Sequence, residues 1–198
     1  MVALTVHWVR VLLVALAFSF APPTESEFNS YDVFLSSTVV RGGCSSRSPE
    51  SFRNRTYTLR TNHVYPFLTP VVLQDGRFVE NFFGRPEWET SLALAQPIQI
   101  ARRAVVLLML KSVHVAGTGS AGHVLVVDCH DETMTVLFEA SGEGVTDASE
   151  TDGELKVTRF FWSARDAHCC PSRIVDERYR WSGGRFAHVG QLDRRRPR

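Results

Sequence analysis

Residues 104–110 read Ala-Val-Val-Leu-Leu-Met-Leu, an uninterrupted apolar run. The run is too short to cross a membrane as a helix, which takes about 20 apolar residues. Part of it is β-branched, and a short continuous apolar run of this kind is typical of a strand covered on both faces. This stretch therefore predicts the core strand of a β domain.

Turn residues separate the neighbouring apolar segments. Asp75-Gly76 lies between the apolar runs 71–74 and 77–80. Asp-Gly in that setting favours a type I′ hairpin turn, because glycine accepts a positive φ without steric cost. The glycine pair at 183–184 predicts a second hairpin in the same way.

The remaining pattern is also that of strands. Three further runs predict strands: 123–127, 134–139 and 155–162. Residues 87–95 fit a short helix and a strand equally well, because the segment is short and flanked by prolines. The acidic, glycine-containing stretch 142–153 has the composition of a loop. We therefore expect a mainly β fold, an antiparallel sheet forming a sandwich or an open barrel, with at most one or two short helices.

The first 21 residues have the pattern of a secretory signal peptide. Arg10 precedes the apolar run 11–21, which ends in small residues. An uncleaved anchor over residues 2–21 is the alternative, although Arg10 would lie in the middle of such a span. We expect an exported protein, periplasmic or extracellular, that touches a membrane only if this segment is retained.

Composition divides the rest of the chain into three parts. Residues 22–55 predict an irregular lead-in, residues 56–190 a single β-rich domain, and residues 191–198 a solvated basic tail. The formal net charge is only +1, so charge gives no support for nucleic-acid binding.

The chain has four cysteines, and each is a disulfide candidate in an exported protein: Cys44, Cys129, Cys169 and Cys170. A Cys169–Cys170 bond would close a strained ring across one peptide, in a turn that Pro171 suits. The alternative joins one of this pair to Cys44 and the other to Cys129. The vicinal bond is slightly favoured, which leaves Cys44 and Cys129 either bonded together or as thiols.

A metal site is not expected at these cysteines. Zinc sites space their cysteines by two to four residues, because the side chains of adjacent residues diverge. The sequence likewise gives no reason to expect a cofactor. The glycine-rich stretch 117–122 lacks both the lysine of a phosphate-binding loop and a following helix, so it predicts a connection between strands.

Aromatic residues supply the binding candidates. Trp162, Tyr179, Trp181 and Phe186 lie in two predicted strands and could form one face for a partner or ligand. His168 is added because it lies beside the cysteine pair. Asp166 and His168 could act as an acid–base pair, although hydrogen bonding within a turn is the commoner role for such residues. No residue is predicted to be catalytic.

Several segments together resemble a known group of proteins. They are the core strand 104–108, Gly117-Thr118-Gly119-Ser120, His168-Cys169-Cys170-Pro171-Ser172 and the strand 177–181. The combination is similar to small exported bacterial proteins of unknown function, and distantly to the mycobacterial LppP/LprE-type lipoproteins. The resemblance covers roughly residues 56–190 and implies export and a β-rich domain, with no known reaction.

The chain departs from that group in two ways. It lacks the lipidation cysteine of the lipoproteins. Residues 96–103 contain no acid, whereas relatives often carry an Asp-rich turn there that is able to hold calcium, so a calcium site is not expected.

The sequence thus predicts a non-catalytic binding or structural domain of the cell envelope, with an envelope protein or a small ligand as its partner. The alternative is an envelope enzyme, a hydrolase or a thiol-dependent enzyme, that uses Asp166, His168 and the Cys169/Cys170 pair.

Overall fold

The computed structural model of the chain describes residues 39–40, 48–57, 59, 70–117, 119–130, 133–163, 166–167 and 170–195. All of them belong to one compact unit, Asp32–Arg198. The described strands are β1 (Val39–Val40), β2 (Thr56–Tyr57), β3 (Val71–Val72), β4 (Arg77–Phe82), β5 (Arg85–Ile100), β6 (Arg103–His114), β7 (Ser120–His130), β8 (Thr133–Glu143), β9 (Val145–Thr151), β10 (Glu154–Phe161), β11 (Arg173–Ser182) and β12 (Arg185–Arg195).

These strands form three antiparallel sheets. Sheet 1 has six strands in the order β1-β8-β7-β6-β5-β4, sheet 2 has four in the order β12-β11-β10-β9, and β2 and β3 form a small third sheet. Within the described residues, the helical structure is one 3-10 turn, Pro49–Phe52. The mainly β, antiparallel prediction is confirmed, and the described sheets form layers that do not close into a barrel.

The strand β6 lies inside sheet 1 and is covered on both faces, as its sequence predicts. Its odd-numbered residues at 105–109 belong to a first core, which lies between sheet 1 and sheet 2. Its even-numbered residues at 106–110 belong to a second core, on the other face of sheet 1. All of these side chains are at most 2% exposed.

The second core is covered by the segments before β4. Phe52 of the 3-10 turn, Tyr57 of β2 and Val71 of β3 are fully buried there. The hydroxyl of Tyr57 donates a hydrogen bond to the carbonyl of Phe52, 2.8 Å away. The turn at 49–52, within the predicted irregular lead-in, therefore belongs to a packed layer together with β2 and β3 of the predicted domain.

Antiparallel pairing sends alternate connections to opposite ends of the sandwich. The guanidinium of Arg103, at the start of β6, lies 5.2 Å from the ring of Trp181, near the end of β11. We call this end, which carries the β5–β6, β7–β8, β9–β10 and β11–β12 connections, the Arg103 end. The opposite end carries the β4–β5, β6–β7, β8–β9 and β10–β11 connections, and we call it the Gly144 end.

Two glycines allow sheet 2 to fold over sheet 1 at the Gly144 end. Gly144 has a φ of +84°, and a Cβ there would lie 2.2 Å from the carbonyl oxygen of Phe160. A Cβ on Gly122 of β7 would lie 2.2 Å from the carbonyl oxygen of Val145. No side chain fits at either distance, so the backbones of β7, β9 and β10 approach each other only because these residues are glycines.

Both predicted hairpin turns are present. Asp75 and Gly76 have φ values of +51° and +83°, and Gly183 and Gly184 have +59° and +83°, as type I′ turns require. The first turn closes a single bridge between Gln74 and Arg77, because β3 pairs with β2 and β4 pairs with β5. The second turn joins the long strands β11 and β12.

Two predicted segments have a different structure. Residues 87–95 are part of β5 and not a helix. The loop predicted over 142–153 is wrong, because this stretch holds the end of β8 and all of β9. Its small and acidic residues have a loop-like composition, yet Val145 and Ala148 enter the first core.

The basic tail predicted over 191–198 is also partly a strand. Residues 191–195 continue β12 and pair with β11. The guanidinium of Arg194 donates to a carboxylate oxygen of Asp176, 2.7 Å away. The paired strand therefore extends past the predicted domain boundary at 190.

The close approach at Gly122 predicts the effect of a single methyl group. Gly122→Ala should lower the free energy of unfolding by about 3 kcal/mol, the upper end of the range for overpacking, because the contact is with fixed backbone. Gly153→Ala is the control, since no atom lies within 4 Å of its Cβ and only its φ of +78° is unfavourable. It should cost about 1 kcal/mol. Urea unfolding followed by tryptophan fluorescence measures both, and equal losses would contradict the packing at Gly122.

Candidate functional site

Asp166 holds the two ends of the β10–β11 connection together. One carboxylate oxygen accepts the backbone N–H groups of Ser163, at 2.7 Å, and of Ser172, at 2.9 Å. The other accepts the hydroxyl of Ser163, at 2.9 Å. These hydrogen bonds, led by that from the backbone of Ser163, lower the pKa of Asp166 to about 2. The side chain is thus an ionised organiser of the connection at neutral pH.

The Cys-Cys-Pro segment lies in the same connection. Cys170 is exposed, and its backbone N–H donates to the carbonyl of Ala167 at 2.9 Å. Pro171 is buried. His168 and Cys169 lie outside the described residues, so the vicinal Cys169–Cys170 bond and the role of His168 stay predictions.

The aromatic candidates do not form one exposed face. Tyr179 is 3% exposed and its ring lies 4.8 Å from that of Phe138, in the first core. Phe186 is buried in the same core. Trp181 is half-buried against it. Tyr179 and Phe186 therefore stabilise the interior and are not available to a partner.

Trp162 and Trp181 lie at opposite ends of sheet 2. Trp162 comes directly after Phe161, the last residue of β10. Trp181 comes directly after Arg180, which pairs with Glu154, the first residue of β10. At about 3.3 Å per residue the two ends of β10 are about 23 Å apart. The two tryptophans therefore cannot contact one ligand together, and the expected single aromatic surface is wrong for this pair.

A buried arginine forms an ion pair within sheet 2 and a hydrogen bond to sheet 1. Arg159 of β10 is 2% exposed, and its Nε lies 2.7 Å from a carboxylate oxygen of Glu177. The same oxygen accepts the hydroxyl of Tyr179 at 2.8 Å. A second guanidinium nitrogen of Arg159 donates to the carbonyl of Ser141 in sheet 1, at 3.3 Å. Burial, and then the Glu177 carboxylate, raise the pKa of Tyr179, so its hydroxyl stays a donor.

Other buried polar groups line the second-core face of sheet 1. The hydroxyls of Thr90 and Ser112 lie 2.8 Å apart and share a hydrogen bond. His123 is 2% exposed, and burial lowers its pKa to about 4, which keeps the ring neutral at physiological pH. These groups are closed off from solvent and offer no open catalytic surface.

Of the two described cysteines, Cys129 lies within a strand. It is at the end of β7, 6% exposed, and packs in the second core. No disulfide joins two described cysteines, but Cys129 is disulfide-bonded, and its partner lies outside the described residues.

Among the described residues, the most exposed large apolar side chain was not predicted as functional. Phe83 is 93% exposed at the tip of the β4–β5 hairpin and has a φ of +49°. It lines an open cleft of about 520 Å³ with Arg85, Pro86, Glu87, His114 and Ala116. Exposure cannot be read from the sequence, but a bulky residue directly before Gly84, in the place of Asn or Asp, was a possible signal.

Two valines at the neighbouring β6–β7 hairpin are also exposed. Val113 and Val115 are 45% and 50% exposed. We call the apolar residues that line the cleft, Phe83, Pro86 and Ala116, the Phe83 patch. Sheet 1 is two strands wider than sheet 2, and among the described residues β4 adds none to the first core, which leaves this surface uncovered by sheet 2.

The glycine-rich stretch packs against His114 beside the cleft. A Cβ on Gly117 would lie 2.6 Å from Nδ1 of His114, so the ring occupies the space that a side chain would need. The His114 ring also packs nearly perpendicular to the ring of Trp88, with centroids 5.2 Å apart. Residues 120–122 of the predicted connection belong to β7.

The described residues hold no group of three or more His, Cys, Asp or Glu side chains that could bind a metal ion. Nor do they include a helix with the length and apolar character needed to cross a membrane. No family model matches the chain, and no curated protein or solved structure matches it. The resemblance to exported bacterial proteins and LppP/LprE-type lipoproteins therefore stays a prediction.

The geometry at Asp166 predicts a local effect of acid. Because its pKa is lower in the folded chain than the ordinary 3.8, its contribution is complete above about pH 4 and is lost as pH falls through about 2. Asp166→Asn should speed amide exchange at Ser163 and Ser172 already at neutral pH. Asp152→Asn, in the β9–β10 turn, is the control. Unchanged exchange at both serines in Asp166→Asn would contradict this role.

Proposed function

We propose that this chain is an exported, non-catalytic binding domain of the cell envelope that docks a partner protein through the Phe83 patch. The observation that carries the proposal is Phe83 itself, an aromatic ring that is 93% exposed at the tip of a hairpin. Exposed apolar surface of this kind, with polar groups around it, is typical of interaction sites.

The backbone at Phe83 supports the same proposal. A φ of +49° disfavours a bulky side chain, and a residue in that region costs about 1–2 kcal/mol relative to the right-handed region. The ring gains little from burial in the isolated domain, and the backbone conformation is unfavourable there. Both become favourable if the ring is buried in a partner, since unfavourable backbone geometry concentrates at functional positions.

The surroundings of Phe83 indicate the chemistry of the partner. The aromatic ring lies at the hairpin tip, Pro86 and Ala116 line the same cleft, and Arg85 and Glu87 supply charges of both signs at its rim. This is the arrangement of an interface anchor with a polar rim. The partner is thus a protein with an apolar pocket and no strong net charge at its edge.

The alternative function, an envelope enzyme using Asp166, His168 and Cys169/Cys170, has less support. The carboxylate of Asp166 accepts three hydrogen bonds within its own connection. Its pKa of about 2 makes it a poor general base near neutral pH. Labelling of the exported protein with a thiol reagent tests this alternative, which needs a cysteine thiolate that reacts rapidly below pH 7.

The docking proposal predicts a separation of binding from stability. Phe83→Asn removes the ring and places a residue that accepts a positive φ, so the free energy of unfolding should hold or rise by up to about 1 kcal/mol. Leu192→Asn is the matched control, because Leu192 is exposed on β12, outside the patch.

Photo-cross-linking from position 83 in the intact envelope identifies the partner, and titration with the purified partner measures affinity. Phe83→Asn should weaken binding at least tenfold, as expected for an anchor residue. Leu192→Asn should bind like the parent chain. Equal affinity for Phe83→Asn and the parent, or equal loss in both variants, would overturn the proposal.

A further inference from the structure

We infer that Cys129 is bonded to Cys44, so that a disulfide fastens the lead-in to the end of β7. Cys129 is disulfide-bonded, and its partner lies outside the described residues. Two cysteines satisfy that condition, Cys44 and Cys169. The topology around Cys129 separates them, and this inference does not depend on the Phe83 patch.

The reach of the chain from described residues excludes Cys169 as the partner. Cys129 lies at the Arg103 end of β7, where it pairs with Met134. Ala121 lies eight residues away along β7, at the Gly144 end, where it pairs with Glu143. Eight residues of strand span about 26 Å. Cys169 lies in the β10–β11 connection at the Gly144 end, four residues before Arg173, and four residues of chain reach at most about 14 Å. A disulfide needs Cα atoms about 4.4–6.8 Å apart, so Cys169 cannot come close enough to Cys129 to bond with it.

The positions of the two cores on opposite faces of sheet 1 also exclude Cys169 as the partner of Cys129. The side chain of Cys129 packs in the second core, among residues such as Val127 and Met134. Sheet 2, with its β10–β11 connection, lies across the first core on the opposite face of sheet 1. A bond to Cys169 would have to pass from one face of the sheet to the other.

Cys44 follows a strand that is placed beside Cys129. Val40 of β1 pairs with Met134 of β8, and Met134 pairs with Cys129 of β7, so the three residues form one row across sheet 1. Neighbouring strands lie about 4.8 Å apart, which puts Val40 about 10 Å from Cys129. β1 is antiparallel to β8, so the chain leaves Val40 toward the β7–β8 connection. Cys44 comes four residues later, within reach of Cys129.

The bond requires an oxidant, and export supplies the chemistry. The two thiols lose two protons and two electrons, and one S–S bond forms. An oxidised protein disulfide carrier takes the electrons by thiol–disulfide exchange and leaves as a dithiol. The paired part of β1 is only two residues long, too short to hold the lead-in on sheet 1 by itself. The covalent link therefore completes the cover of the second core after export.

Peptide mapping under non-reducing conditions tests the pairing on the full secreted chain. Trypsin separates the cysteines into residues 42–47, with Cys44, residues 112–156, with Cys129, and residues 166–173, with Cys169 and Cys170. After alkylation of thiols, we expect peptide 42–47 joined to peptide 112–156. Reduction should release the two.

Two variants sharpen the result. Cys44→Ser should make Cys129 fully labelled by the alkylating agent after denaturation, whereas Cys170→Ser should leave the joined peptides unchanged. A link between peptides 112–156 and 166–173 in the parent chain would overturn the inference, and so would complete alkylation of Cys129 in the exported protein. Either outcome leaves the Phe83 measurements unaffected, so failure here is distinguishable from failure of the proposed function.

Discussion

The close backbone approach at Gly122 and Gly144 is the constraint on which the two-sheet arrangement depends. β8 passes directly into β9 through Gly144, so one residue turns the chain from sheet 1 into sheet 2. At that corner the carbonyls of Val145 and Phe160 occupy the space that side chains would take. If the corner were wider, Val145 and Ala148, which follow Gly144 on β9, would be drawn away from sheet 1, and the first core would open at this end.

The ion pair of Arg159 depends on the same closure. With the sheets held together, its guanidinium reaches both Glu177 in sheet 2 and the Ser141 carbonyl in sheet 1. A buried pair of this kind adds little net stability, because desolvation offsets the attraction. Its value lies in specificity, since any shift in the register of β10 against β11 would leave a buried charge without its partner. Sheet packing is thus set by glycine, and strand register is reinforced by charge.

Much of the fold follows from local sequence, because local sequence decides where turns lie and which apolar runs form core strands. Asp75-Gly76, the glycines at 183–184 and the apolar run at 104–110 each predict what the structure contains. The loop predicted over 142–153 is wrong because Gly144 is required by tertiary packing, and composition cannot distinguish that use of glycine from a loop. The prediction that Tyr179 lies on a binding face is wrong for a similar reason. Alternation of charged and aromatic residues indicates a half-buried strand but does not tell which face is covered. The Phe83 patch could not be predicted, because it exists only where sheet 1 extends beyond sheet 2.

The two ends of the sandwich therefore have different physical roles. At the Arg103 end, Arg103 stacks on Trp181 and also forms an ion pair with Asp128, so polar side chains bind the layers together there. At the Gly144 end, glycines bring the backbones close, so side chains at the hairpin tips are not needed to hold the sheets together and can bind a partner. The β4–β5 turn is fixed by its strand register, so Phe83 is presented by backbone that is already ordered. A ring held in this way loses little conformational entropy when it enters a pocket, and a small patch can then support specific binding without a deep cleft.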